Sequence, residues 1–194
     1  MNWETLLSFG DSITIGSRTY LGYPEYTSEL LRQATQTEWN TFNYAKAGIT
    51  TVELHRMMSA DFAHLKQLSP ELITVLIGTN DAKKGISTAN FAIAYRQVIL
   101  KARLIAPEAT LLVFSIPPLQ KGGKLPYTRA MNAVIEEYND IIKTISESFR
   151  VPVVELELTD KHFGDGVHLN EAGIAKMGQQ IADYILKLRG IEPI

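Results

Sequence analysis

The chain has no cysteine among its 194 residues. That excludes disulfides, thiolate metal sites and a cysteine nucleophile, and it leaves no redox signature of compartment. It also lacks a dominant charge: 19 basic and 21 acidic side chains give a net charge of -2. No electrostatic footprint for nucleic acid or an acidic membrane surface is present. No apolar run approaches the roughly 20 residues that a membrane helix needs. Met1-Asn2-Trp3-Glu4 has no basic segment, and the apolar stretch behind it is too short for a signal peptide. The expectation is a cytoplasmic protein with no stable membrane association. Histidine is scarce, and none of the four histidines pairs with another at the i, i+4 spacing of a zinc-binding helix. No Gly-x-x-x-x-Gly-Lys-[Ser/Thr] phosphate loop occurs either. No metal and no cofactor is expected.

What is present is an alternation of short apolar runs and helical patterns. Thr5-Leu6-Leu7-Ser8-Phe9 reads as a buried strand closed by Gly10, with a loop from Ile13 to Gly22 behind it. Pro24 suits a first helical turn, and Tyr26, Leu30, Leu31 and Ala34 recur at helical spacing. A second strand is predicted over Trp39–Tyr44, then a helix to about Met58 capped by Thr50 or Thr51, and a short helix over Ala60–Leu68. Leu72–Ile77 is apolar at nearly every position, as a central parallel strand covered on both faces must be. Gly78-Thr79-Asn80-Asp81 breaks it. Ser87 or Thr88 then starts a long helix with Phe91, Tyr95, Val98, Ile99, Ala102 and Ile105 on one face, ended by Pro107. Thr110–Ser115 is the fourth strand, Thr128–Phe149 a helix, Val151–Leu156 the fifth strand. A last helix is capped by Asn170 and has Gly190 past its end. The basic loop Lys121-Gly122-Gly123-Lys124 reads as a solvated connector, with Lys121–Tyr127 a candidate pocket rim.

Strands alternating with helices call for an α/β protein: a three-layer α/β/α sandwich around a parallel sheet. For five strands the expected order is 2-1-3-4-5, which sets the ligand crevice at the ends of strands one and three. No repeat, low-complexity tract or linker divides residues 1–194, so one domain is expected.

Every polar motif follows a strand and should gather at one sheet edge: Ser12 after strand one, Gly48 after strand two, Asn80 after strand three, Asp165 and His168 after strand five. Acyl transfer through a serine needs this set. A serine hydroxyl is a weak nucleophile without an adjacent base. His168 can be that base, with Asp165 three residues earlier fixing its tautomer. His162, beside Asp160, is the rival pair, whereas His55 and His64 fall within helices as surface or packing residues. Backbone amides of Ser12 and Gly48 and the side-chain amide of Asn80 suit an oxyanion hole. Glycine at 48 admits close backbone approach. Asp11 and Asp81 are expected to brace their own turns. By itself, Ser12 could equally cap the turn or helix that follows it.

These motifs carry a family resemblance. Gly10-Asp11-Ser12-Ile13-Thr14, Asn43-x-Ala45-x-x-Gly48-x-Thr50-Thr51, Gly78-Thr79-Asn80-Asp81 and Asp165-Gly166-Val167-His168-Leu169-Asn170-x-x-Gly173 stand in family order over residues 10–173. The chain resembles the SGNH hydrolases, the GDSL-type lipase and esterase superfamily. Ile13 stands where the family's name has leucine, and Thr14 where a Gly-x-Ser-x-Gly elbow would end in glycine, which argues against the separate α/β-hydrolase fold. The resemblance implies a flavodoxin-like three-layer fold and metal-free ester hydrolysis. It favours Ser12, Asp165 and His168 as catalytic residues, with Ser12, Gly48 and Asn80 as oxyanion hole.

The expected activity is hydrolysis of small or short-acyl carboxylic esters through an acyl-enzyme on Ser12, rising with pH as the imidazole loses its proton. A thioesterase, a lysophospholipase and a sugar O-deacetylase are alternatives on the same site. The absence of a secretion signal tilts the expectation towards small intracellular esters and away from polymer-degrading carbohydrate esterases. A non-catalytic ligand-binding module is a further alternative. It predicts loss of at least one of these residues, and none is lost.

Overall fold

The structure, a computed structural model, describes residues 3–120 and 128–192. The candidate rim Lys121–Tyr127 and its basic loop lie outside the described residues. β1 (Trp3–Gly10) is buried from Thr5 onward because a strand stands on each side of it and a helical layer covers each face. It pairs with β2 (Glu38–Ala45) and β3 (Leu72–Leu76), and β4 (Thr110–Phe114) and β5 (Val153–Val154) complete the sheet. All pairings are parallel, in the expected order β2-β1-β3-β4-β5.

The pleat sorts the strand residues into two cores. Leu7, Phe9, Ile73, Val75, Leu111 and Val113 face the layer of α3 (Thr51–Ala60), α6 (Thr88–Ile105) and α7 (Asn132–Ser148). Leu6, Leu72, Leu76, Leu112 and Phe114 face α2 (Tyr23–Thr35) and α8 (Glu171–Leu188). Ser8 and Thr74 also lie buried within the sheet. The Thr74 hydroxyl donates to Ser8 Oγ at 2.7 Å, and Tyr23 Oη lies 3.1 Å from Thr74 Oγ1, so no hydroxyl of this row is stranded. Three helices, α3, α6 and α8, start where the caps predict. Thr50 forms a capping box with Glu53, Ser87 Oγ accepts from Asn90 N, and Asn170 Oδ1 accepts from Gly173 N.

Several elements differ from expectation. α1 (Ser12–Ile15) and α5 (Thr79–Lys83) are single helical turns where a loop and a break are expected. Both open directly off a strand end, too short to show a period. α4 (Phe62–Gln67) starts after Asp61 rather than at Ala60. The helix expected from Thr128 begins as a 3-10 turn over Arg129–Met131 before α7. β5 is two residues long rather than six: Pro152 has no N–H at its start, and after Ser115 N, which donates to the Val154 carbonyl, the next position behind β4 facing it is Pro117, which has none to offer. In α2 the buried stripe runs through Tyr23, Thr27 and Leu31, while Tyr26 lies half-exposed across Gly178 of α8. Among the described residues, no helix is long and apolar enough to cross a membrane.

Candidate active site

The carboxyl end of β1 makes a sharp turn. A Cβ on Gly10 would come within 2.0 Å of Thr14 Oγ1 and 2.5 Å of the Leu76 carbonyl, so only glycine lets the chain fold back against β3. Asp11 caps α1, with its Oδ1 accepting from Ile13 N at 3.0 Å. The capping duty open to Ser12 thus falls to its neighbour. Ser12, the first residue of α1, keeps its hydroxyl for a partner across the crevice. Asn43 of β2 steadies this turn by donating to the Thr14 carbonyl at 3.0 Å.

That partner is His168, whose Nε2 lies 3.0 Å from Ser12 Oγ. On the other side of the ring, Nδ1 lies 2.9 Å from Asp165 Oδ2. A carboxylate only accepts, so Nδ1 carries the hydrogen and Nε2 is left to accept from the serine. Asp165 Oδ1 accepts from Val167 N at 3.1 Å and His168 N at 2.8 Å, which folds the segment into a tight turn. Burial alone would raise the Asp165 carboxyl, but the His168 side chain and the two backbone donors outweigh it and hold the group below the usual carboxylate range. His162, the rival base, is turned elsewhere. Its Nδ1 accepts from Thr159 N at 2.9 Å, and burial lowers its proton affinity.

The β2 and β3 ends flank the serine. Lys46 N donates to the Gly10 carbonyl at 3.2 Å, bringing the Gly48 loop to the β1 end. Gly48 has φ +78°, and the space where its side chain would stand is empty within 4 Å. Glycine is thus called for by the left-handed backbone rather than by crowding from the protein. Asn80 sits in α5, buried, with Nδ2 donating to Asp11 Oδ2 at 3.1 Å. Asp81 braces not its own turn but the neighbouring one: its Oδ2 accepts from Thr51 N at 2.9 Å and from Thr51 Oγ1 at 3.1 Å. Both Asp11 and Asp81 are buried, and desolvation pushes each carboxyl up to about 6.

The sequence reading missed Arg18. Its Nε lies 2.5 Å from Asp165 Oδ2, the same oxygen that faces the imidazole. The one sequence signal was a cation on the loop behind the candidate nucleophile. The structure therefore brings Ser12, His168 and Asp165 into one hydrogen-bonded chain and sets Gly48 and Asn80 at the flanking strand ends.

Residues 8–176 match the model of the GDSL-like Lipase/Acylhydrolase family. A multidomain esterase of Ruminococcus flavefaciens is 25% identical over 93% of this chain, which spans only 28% of that relative's length. Among solved structures, a family 3 carbohydrate esterase of Clostridium thermocellum superposes with a TM-score of 0.76 at 20% identity, covering 96% of this chain and 97% of the other. An acetylxylan esterase from Geobacillus stearothermophilus gives 0.71 at 19% identity, over 98% and 96%. Variants of that esterase described as catalytic mutants replace a serine, an aspartate and a histidine. With the match extending from β1 to α8, through every strand-end motif described above, the chain belongs to the GDSL-like Lipase/Acylhydrolase family.

Proposed function

We propose that this chain is a serine esterase that cleaves short-acyl carboxylic esters through an acyl-enzyme on Ser12. The observation that carries the reading is the continuous chain Ser12 Oγ–His168 Nε2–His168 Nδ1–Asp165 Oδ2, with contacts of 3.0 and 2.9 Å. Ser12 Oγ attacks the ester carbonyl while its proton passes to His168 Nε2. The imidazolium then gives that proton to the leaving alkoxide as the C–O bond breaks. Water, deprotonated by the same nitrogen, returns Ser12 and releases the acid. Asp165, held ionised by its donors, stabilises each imidazolium. Backbone amides of Ser12 and Gly48, with Asn80 Nδ2, receive the charge that develops on the carbonyl oxygen. The bond from Nδ2 to Asp11 fixes the plane of the Asn80 amide beside Ser12's turn.

The test is hydrolysis of p-nitrophenyl esters from acetate to longer acyl chains by the native protein and by Ser12→Ala. Loss of about 10³-fold or more in the variant is expected; equal rates in both proteins would remove Ser12 from the mechanism.

A second reading, deacetylation of sugar esters, is favoured by one surface feature. Tyr20 is 92% exposed on the loop behind α1. The loop is pinned there because Tyr20 N donates to Glu171 Oε1 at 3.0 Å, three residues past His168. An exposed aromatic ring on a loop whose backbone is tied to the start of α8 offers its face to a pyranose ring. The names of the two carbohydrate-esterase neighbours agree with it.

A further inference from the structure

Arg18 is held in an unusual way for a surface side chain. Its backbone has φ +82°, a left-handed conformation that is strained for a non-glycine residue. Such strain persists where the surroundings fix it. Here the long side chain, 63% exposed, is directed onto Asp165 Oδ2 at 2.5 Å. That oxygen also faces His168 Nδ1 at 2.9 Å, and Oδ1 takes the two backbone donors. The carboxylate thus has three hydrogen-bond donors and a cation in contact with it.

We propose that Arg18 is a positioning residue that acts through Asp165 and extends the esterase activity towards acidic pH. The inference rests on the reading of His168 as the base and Asp165 as its partner. Protonating the idle imidazole places a second positive charge on the carboxylate oxygen that already carries the guanidinium. Arg18 opposes that charge and keeps Nε2 open to accept from Ser12. Among the described residues, the charged groups set about His168 are Asp165 in its own turn, Asp11 before α1 and, on Asp165, Arg18. Arg18 is the cation of this group, set against two carboxylates.

The test is the pH profile of kcat/KM from about pH 5 to 9 for the native protein, Arg18→Ala, Arg18→Gln and Arg18→Lys, with a p-nitrophenyl acetate readout. Removing the charge should move the acid limb upward by about half a pH unit or more, with the alkaline plateau kept within about threefold. Arg18→Gln keeps length and a donor and should behave like Arg18→Ala, which separates charge from packing. Arg18→Lys should restore most of the native limb. The proton resonances of the His168 ring, assigned by comparison with His168→Ala, should be displaced along the pH axis by the same amount. A uniform loss at every pH with an unmoved limb would mean a structural role and overturn the proposal. So would a profile unchanged in all three variants. His168→Ala and Ser12→Ala in the same assay separate the two levels: activity in either of them defeats the esterase mechanism itself, whereas their inactivity beside an unmoved Arg18→Ala limb defeats only the role of Arg18.

Discussion

Replacing Asp81 by asparagine should make the protein more stable at neutral pH and leave its stability nearly unchanged in mild acid. Asp81 is fully buried, and both bonds from Thr51 land on one oxygen. Its other oxygen, Oδ1, has no hydrogen-bond partner. Desolvation lifts the carboxyl from 3.8 to about 6. The folded state therefore holds this proton more tightly than the unfolded chain, so stability declines as pH rises from about 4 through about 6. A displacement of about two pH units corresponds to about 3 kcal/mol lost once the group is ionised. An asparagine oxygen can accept both Thr51 bonds without the charge. Set against that gain are the asparagine NH2, which stands where Oδ1 has no partner, about 1 kcal/mol, and the loss of a negative charge at the start of α3, about 0.3–1 kcal/mol. The net is a gain of about 1–2 kcal/mol, which for a chain of this length raises Tm by roughly 2–8 °C. Calorimetric unfolding at about pH 7.5 and again at about pH 4.5 measures it. The gain should be confined to the higher pH. An equal gain at both values, or a loss at the higher one, would refute the reasoning. Asp81→Ala is the control: it strands the Thr51 N–H and hydroxyl and should lose stability at both.

Two further outcomes follow from the site. Asn80→Ala should lower kcat by about 10²–10³ with KM little changed, because the donor acts on charge that exists only in the transition state; a loss below about tenfold in steady-state kinetics would take Asn80 out of the oxyanion hole. Tyr20→Ala should raise KM for an acetylated xylo-oligosaccharide by about threefold to tenfold and leave p-nitrophenyl acetate unaffected. Equal effects on both substrates would rule out ring stacking.

What could be read from the sequence was what depends on neighbours along the chain. Leu72–Ile77 declares a central strand because a strand covered on both faces must be apolar throughout. Ser87, Thr50 and Asn170 announce helix starts because a cap and the amide it serves lie within three residues. Asp165 and His168 are legible for the same reason. Ser12 joined them because parallel strands bring their carboxyl ends to one edge. The length of β5 was not legible, since it depends on what β4 offers beyond Phe114. Nor were the bonds from Asn80 to Asp11, from Thr51 to Asp81 and from Arg18 to Asp165, which join residues 69, 30 and 147 positions apart. The positive φ of Gly48 was not legible either: the sequence shows a glycine open to close approach, and the structure adds a left-handed backbone that calls for one.

The carboxylates at this edge are differentiated by their donors rather than by their residue type. Asp165 accepts two backbone amides and faces both an imidazole and a guanidinium, and it is held low. Asp11 is more deeply buried, accepts from one backbone amide and one neutral side chain, and is raised to about 6. On the proposed mechanism the partner of the imidazole has to stay ionised below the working range, and of these two carboxylates Asp165 meets that condition. Asp11 feels the His168 charge and accepts from Asn80, so its ionisation is tied to both residues. As pH falls through about 6, Asp11 takes up a proton and stops accepting as a charged group from Asn80 Nδ2. On the proposed mechanism, uptake of that proton is expected to loosen the amide that meets the oxyanion and so to lower the rate on the acid side, through an atom of the site that the imidazole does not touch.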